Sequence, residues 1–369
     1  MSKSDTQDRI RELAIEKFQE YAAYDKTLDA LAALRVVLNT PEIKTELTSY
    51  DFHPRIQKPT DVSPAHLTPD GLILLKTQQN FLLELKTNWN EADIVQVCKY
   101  AQSLGWLNAE GKVIPFETKP CILLGYQKLV RQENLDRLFR EFKTQTGATL
   151  VVFRYALETG TDNTMSFTRL AHADNGQCPP SDLGKLFNYA GFAVRASEFK
   201  FQRSKFDKAN DEVIDSYAAV IWWNKYAVHY LTEAQKTEMA ERGALSEALE
   251  ISPDRISRVP KPEGTEKGLD PDDVRRALEF LRQARLANKT RKSGYQIPLK
   301  TNIRLPLDAP EVTGQHALNE ITHKLIMRWA TYKILKPIKE KKRIPKKSRA
   351  RSRRDTRTLP MFPNLTDKK

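Results

Sequence analysis

The stretch PDGLILLKTQQNFLLELKTNWNEADIVQVCKY, residues 69–100, decides how the chain is read. Gly71–Leu75 and Phe81–Leu85 are short apolar runs separated by Lys76-Thr77-Gln78-Gln79-Asn80. Two such runs about a polar break predict a β-hairpin. Leu82, Leu83 and Leu85 make the second run apolar on both faces, as a central strand requires. From Asn90 to Gly105 the spacing becomes helical, with Ile94, Val97, Cys98, Ala101 and Leu104 on one stripe. Asn90 is placed to cap this helix, Glu91 and Asp93 suit its positive end, and Gly105 can stop it.

Polar residues interrupt this apolar frame at telling positions. Pro69-Asp70 opens the first strand, and Glu84 and Lys86 sit two apart in the second, on one face. Gln96 and Tyr100 lie one turn apart on the helix, beside the apolar stripe. Read singly, Asp70 is a turn residue and Glu84/Lys86 a surface pair worth under about 1 kcal/mol. Charges inside an otherwise apolar strand are expensive, however, unless paired or metal-bound. For Asp70 to share their face it must lie opposite an even-numbered residue, for example Lys86. That demands an odd hairpin loop or a bulge. A two-residue loop at Gln78-Gln79 would pair Asp70 with Thr87 and turn it away, and Gln-Gln is a poor type I′ turn.

Two carboxylates of oxygen-ligand character suit Mg²⁺, which keeps waters and binds substrate phosphate besides. A neighbouring ammonium can stabilise developing negative charge. With Asp70, Glu84-Leu85-Lys86 and Gln96-x-x-x-Tyr100 in this order, the chain resembles the PD-(D/E)XK nuclease superfamily, in its RecB-like branch. The resemblance covers about residues 26–155. It implies an α/β (α+β), restriction-endonuclease-like mixed sheet flanked by helices. It also implies Asp70, Glu84 and the Leu85 main-chain carbonyl as metal ligands, Lys86 as catalytic lysine, and Gln96 and Tyr100 as supports of the site or the DNA backbone. The implied cofactor is Mg²⁺ or Mn²⁺ and the implied partner double-stranded DNA. An acid from the preceding helix often contributes in this family; Glu42 and Glu46 are placed for it, with neither assigned.

Outward from this core, Asp8 to about Leu38 reads helical and Pro41 ends it, with 49–69 loop-like. Strands are expected at 119–126 and 149–155, with a helix at 132–144 between them. Beyond residue 171 the pattern turns helical. Asp211–Ala240 carries Trp222, Trp223, Tyr226 and Tyr230 at helical spacing, which marks them as core. A short helix at Glu247–Ile256, a helix from Asp272 to Ala287 opened by Asp270 or Asp272 with Pro271, and a basic hairpin at 288–299 follow. This order resembles a winged helix-turn-helix. The resemblance implies Arg275, Arg276 and Arg282 as DNA-facing and Lys289, Arg291 and Lys292 as wing contacts. The expected organisation is a nuclease domain at 1–170, a winged-helix-like domain at 171–332 and a disordered basic tail at 333–369.

The chain has 369 residues and a net charge of +13, and residues 333–369 hold nearly all of it, with 15 Lys or Arg against three acids. No apolar run approaches the roughly 18 residues of a membrane helix. The polar start carries no signal core, and three dispersed cysteines make neither a disulfide scaffold nor a zinc site. A cytoplasmic protein is expected, with no membrane partner. The composite expectation is a divalent-metal-dependent DNA endonuclease of restriction, phage defence or transposon processing, alone as a homodimer or with protein partners of such a complex. The alternative is a catalytically silent DNA-binding protein that uses the same fold for docking; an RNA nuclease ranks third. Deleting residues 337–369 should flatten the dependence of log DNA affinity on log salt, because fewer counterions are released. An unchanged slope would contradict the polyanion role of the tail.

Overall fold

The computed structural model describes residues 3–52, 69–107, 113–158, 163–203, 214–259, 269–299 and 315–343. The chain begins with a long helix, α1 (Lys3–Leu38), then α2 (Pro41–Glu46) and an edge strand, β1 (Leu47–Phe52). The hairpin follows as β2 (Gly71–Leu75) and β3 (Asn80–Lys86), then α3 (Ala92–Ala101) and a small ribbon of β4 (Gly105–Leu107) with β5 (Val113–Pro115). Next come β6 (Cys121–Tyr126), α4 (Gln132–Gln145), β7 (Thr149–Glu158), β8 (Thr164–Arg169), α5 (Asp182–Asn188), β9 (Gly191–Arg195) and α6 (Ala196–Arg203).

The main sheet is mixed and runs β1-β2-β3-β6-β7-β8-β9. β3, β6 and β7 form its parallel centre, with antiparallel pairs on either side. Leu72, Leu82, Ile122, Leu124 and Val152 pack one face under α3 and α4. Ile73, Phe81, Leu83, Leu123, Val151 and Phe153 pack the other in a core shared with Leu28, Leu31 and Leu34 of α1. Buried on both sides, β3 is the central strand its apolar run implies.

The hairpin has the odd loop that the shared face requires. Leu75 N–H bonds Gln79 C=O at 3.0 Å and Gln78 N–H bonds Leu75 C=O at 3.0 Å, leaving Lys76, Thr77 and Gln78 as the loop. Gln78 takes φ +62°, the left-handed closing position of a three-residue turn with a bulge. The register Gly71↔Leu83 follows, so Asp70, one step on, faces Glu84 rather than Lys86.

Several expectations need correction. Residues 49–52, expected as the start of a loop, belong to strand β1; its polar content and the register shift between Leu47 and Ser49 hide the alternation of a regular strand, and residues 53–68 of the expected loop lie outside the described residues. The boundary expected near residue 170 falls inside the sheet, because β9 pairs with β8 and the α1-side core continues into the following helices. β8 and β9 are short and rich in Thr, Arg and Ser, too weak a pattern to extend the sheet by reading alone.

The second half holds α7 (Asp215–Ile221), which runs through a π-helical turn at Trp222–Tyr226 and a 3₁₀ turn at Ala227–Tyr230, then α8 (Glu233–Arg242). The helix expected over 211–240 is thus interrupted before α8, where Thr232 and Gln235 form a capping box. The four aromatics are core, as expected: Trp222, Trp223, Tyr226 and Tyr230 are all buried. The helix expected at 247–256 is instead β10 (Leu249–Ile251) followed by α9 (Pro253–Ser257). Then come α10 (Pro271–Gln283), β11 (Asn288–Lys289) and β12 (Tyr295–Ile297), which make a three-stranded sheet in the order β10-β12-β11. Asp270 caps α10 by accepting from Asp273 N–H at 2.8 Å, with Pro271 in its first turn. The last element, α11 (Gln315–Arg343), packs against α1, α7 and α10 and carries the helix through Arg343, eleven residues of the segment expected to be disordered from Lys333. The rest of the expected tail, 344–369, lies outside the described residues.

Gly125 in β6 sits where an added Cβ would come 2.6 Å from Phe153 Cε2 and 2.7 Å from Leu85 Cδ2. Both neighbours are core atoms with little room to retreat. Gly125→Ala should therefore cost about 1–3 kcal/mol in urea unfolding; wild-type stability would mean that this crossing is looser than described.

Candidate active site

Asp70 lies one residue before β2, just beyond the last ladder pair Gly71↔Leu83, and continuing that register brings it opposite Glu84. Asp70 and Glu84 are 4% and 5% exposed, on the face covered by α3. Asp70 Oδ2 accepts from the Leu85 N–H at 2.7 Å. A residue's N–H and C=O leave a strand from the same edge, so the Leu85 carbonyl also points toward the side where β2 ends and Asp70 begins.

α3 supplies the rest. Lys86 Nζ pairs with Glu84 Oε1 at 2.5 Å and donates to Gln96 Oε1 at 2.8 Å. Gln96 Nε2 donates to Glu84 Oε1 at 2.9 Å and to the Tyr100 hydroxyl at 2.7 Å. The Tyr100 hydroxyl donates to Glu84 Oε2 at 3.0 Å, closing the ring of bonds. The one-turn spacing of Gln96 and Tyr100 lets both reach one carboxylate. These contacts use two of the three hydrogens on the Lys86 ammonium, whose side chain is 24% exposed.

Burial is the largest influence on Glu84 and pushes its carboxyl above the usual range; Lys86, Tyr100 and Gln96 pull it back only in part. Burial pulls the Lys86 ammonium down, but Glu84 outweighs it, helped by Asp70 and Asp93, so Lys86 is held above its ordinary value. Tyr100 is pushed well up by burial and by the Glu84 charge. At neutral pH the site therefore holds a cationic lysine among acids.

Two neighbours were not anticipated. Asp93, 3% exposed, accepts from Tyr126 OH at 2.9 Å and from Asn90 N–H at 3.0 Å, and its charge acts on Lys86. In sequence it reads only as an acid suited to the helix dipole, and Tyr126 reads only as a strand end. The second is a clamp behind the strand. The Lys86 carbonyl accepts from Gln127 N–H at 2.9 Å and from Tyr155 OH at 3.3 Å. Tyr155 OH lies 3.0 Å from Thr27 Oγ1, and Gln127 Nε2 donates to Thr27 Oγ1 and to the Ala23 carbonyl. Helix α1 thus fixes the end of β3 through pairs more than 40 residues apart in sequence, which no local pattern reveals.

Other expected residues lie elsewhere. Glu46 accepts from the Asp182 N–H with both oxygens, which occupies its carboxylate at the start of α5. Arg275 and Arg282 are in ion pairs with Asp272 and Glu279 of their own helix, the second bidentate at 2.5 and 2.8 Å. Arg276 is half-buried; Lys289, Arg291 and Lys292 are exposed at the β11–β12 turn. These six belong to the three-stranded unit and not to the Asp70 cluster.

Among the described residues no group of three or more His, Cys, Asp or Glu converges as a metal cage, and no helix is long and apolar enough to cross a membrane. The donors that could hold an ion are two buried carboxylates and a main-chain carbonyl, all oxygen, with one ammonium beside them. That set fits a hard divalent cation completed by water and substrate oxygens. Comparison of the chain with protein-family models, curated proteins and solved structures found no match.

Tyr100→Phe and Gln96→Leu each leave a Glu84 oxygen short of a donor in a buried site. Each should cost about 1–3 kcal/mol in denaturant unfolding, and their losses should not add in the double variant. Losses below about 0.5 kcal/mol in both would mean that the ring does not hold Glu84.

Proposed function

We propose that the chain is a divalent-metal-dependent DNA endonuclease of the PD-(D/E)XK type. The observation that carries this reading is the meeting of Asp70, Glu84 and Lys86 at one end of a doubly covered sheet, with Gln96 and Tyr100 bonded to the central acid. A structural ion pair has no need of a second buried carboxylate facing it across the strand. The winged-helix reading of the second half is supported by the sheet order β10-β12-β11 around α9 and α10, with an exposed basic turn between β11 and β12.

In this reading Asp70, Glu84 and the Leu85 carbonyl would hold Mg²⁺ or Mn²⁺. The ion, when bound, supplies neutralisation of phosphate charge and a lowered pKa for a water. The protein's own residues do the remainder. Lys86 is held protonated, so it acts as a cation; its spare N–H can meet a phosphate oxygen as negative charge develops there. Gln96 and Tyr100 fix the Glu84 carboxylate in one orientation, and the α1 clamp on the Lys86 carbonyl fixes the strand end. Asp93 adds a charge that keeps Lys86 cationic.

Supercoiled plasmid should be cut in Mg²⁺ or Mn²⁺ by the wild type and not by Glu84→Ala or Lys86→Ala. Equal cutting by both variants would remove the assignment; no cutting by the wild type would favour the silent docking protein. Metal should also raise the thermal midpoint, since it binds the folded chain. Glu84 titrates above the usual carboxyl range and must be ionised to ligate. The metal-induced rise should therefore be full near neutral pH and shrink on acidification while ordinary carboxylates are still charged. A rise that persists to pH about 4 would place the ion on other ligands.

A further inference from the structure

Helix α10 ends in a way its sequence does not favour. The Leu286 N–H reaches back to the Leu281 carbonyl at 2.8 Å and the Arg285 N–H to Arg282 at 3.1 Å, a Schellman-type stop. The residue after such a cap takes a left-handed conformation and is usually glycine, because a Cβ is strained there. Here it is Arg285, at φ +59°. A side chain kept where the backbone prefers none is a reason to ask what it does.

Its guanidinium lies 5.3 Å from the centre of the Tyr332 ring on α11. Between α10 and α11 is a cleft of about 260 Å³ lined by Ala284, Arg285, Met327, Arg328, Tyr332 and Leu335. On α11, Arg328, Tyr332 and Lys336 recur every four residues and so share one face. Lys336 Nζ also sits over the Tyr332 ring, at 5.8 Å. Arg285, Arg328 and Lys336 are exposed, and among the described residues none of the three forms an ion pair. This contrasts with Arg275 and Arg282 on α10, whose charges are taken by Asp272 and Glu279. The Tyr332 ring serves to fix cations, so the cleft is built for anionic oxygens rather than for stacking a base. In sequence the basic residues go on past Lys336, with Lys339, Lys341, Lys342 and Arg343. That continuity of like charge argues against the chain's own tail as occupant and for a long polyanion.

We propose that the α10–α11 cleft, through Arg285, Arg328 and Lys336, binds the phosphate backbone of duplex DNA without reading sequence. The proposal rests on the reading of the chain as a protein that acts on DNA, and adds a contact surface separate from α10's outer face and the β11–β12 turn. Arg328 to Lys336 spans about 12 Å of helix, enough to follow several phosphates of one strand.

The test is fluorescence anisotropy with two short duplexes of unrelated sequence, in chelator so that no cutting occurs, over a range of salt. Arg285→Gly is the informative variant, since glycine suits φ +59° and the thermal midpoint should hold or rise. Its affinity should nonetheless fall about fivefold near physiological salt, equally on both duplexes, with the salt slope shallower by about one. Arg285→Gly with Arg328→Ala and Lys336→Ala should make the slope shallower by about three. Wild-type binding that survives unchanged in these variants would overturn the cleft while leaving the DNA reading intact. A loss confined to one duplex would mean base readout and overturn it too. Failure of the wild type to bind either duplex would overturn both, and binding instead to phosphatidylserine vesicles that the variants lose would assign the cleft to a lipid surface.

Discussion

Everything in the first half of this chain answers to one demand, a carboxylate placed inside the central strand of a sheet. Glu84 is 5% exposed, and burial opposes its charge. The protein meets that with a lysine two residues along the same strand and with two polar side chains delivered by the next helix. A fully bonded ring of this kind makes a buried charge tolerable; a partly bonded one would be worse than an apolar core. The register of the hairpin then becomes consequential. A one-residue slip would turn Asp70 to the opposite face and leave Glu84 with one acid fewer before it.

That much was legible in the sequence because the relevant signals are local. The alternation in Phe81–Lys86, the four-residue step from Gln96 to Tyr100 and the parity of the loop between two apolar runs all lie within 32 residues. The loop's left-handed Gln78 is a case where parity succeeded though residue preference would not have chosen glutamine. What stayed hidden depends on contacts across the chain. Asp93 meets Tyr126, and Thr27 meets Gln127 and Tyr155, only after the sheet has formed. Strands β1, β8 and β9 were obscured for another reason: at or near the sheet's edges, short and half-polar segments carry little periodicity.

The second half shows the opposite balance. Its aromatic stripe was recognisable as core, and the cap and proline that open α10 were recognisable as a helix start. The arginines of that helix looked available for a nucleic acid, yet two of them neutralise acids one turn away on the same helix. Arg285 at the helix end and Arg328 on α11 are exposed and form no ion pair among the described residues, and the last part of α11 falls in the segment whose charge-dominated sequence reads as a tail.

The central claim is that Asp70 and Glu84 jointly bind a divalent cation beside Lys86. Crystals soaked in Mn²⁺ and measured for anomalous scattering test this directly. The account requires one strong peak in contact with both carboxylates and the Leu85 carbonyl, lost in Asp70→Asn. Absence of that peak in crystals of the wild type, or a peak coordinated by other residues, would contradict it.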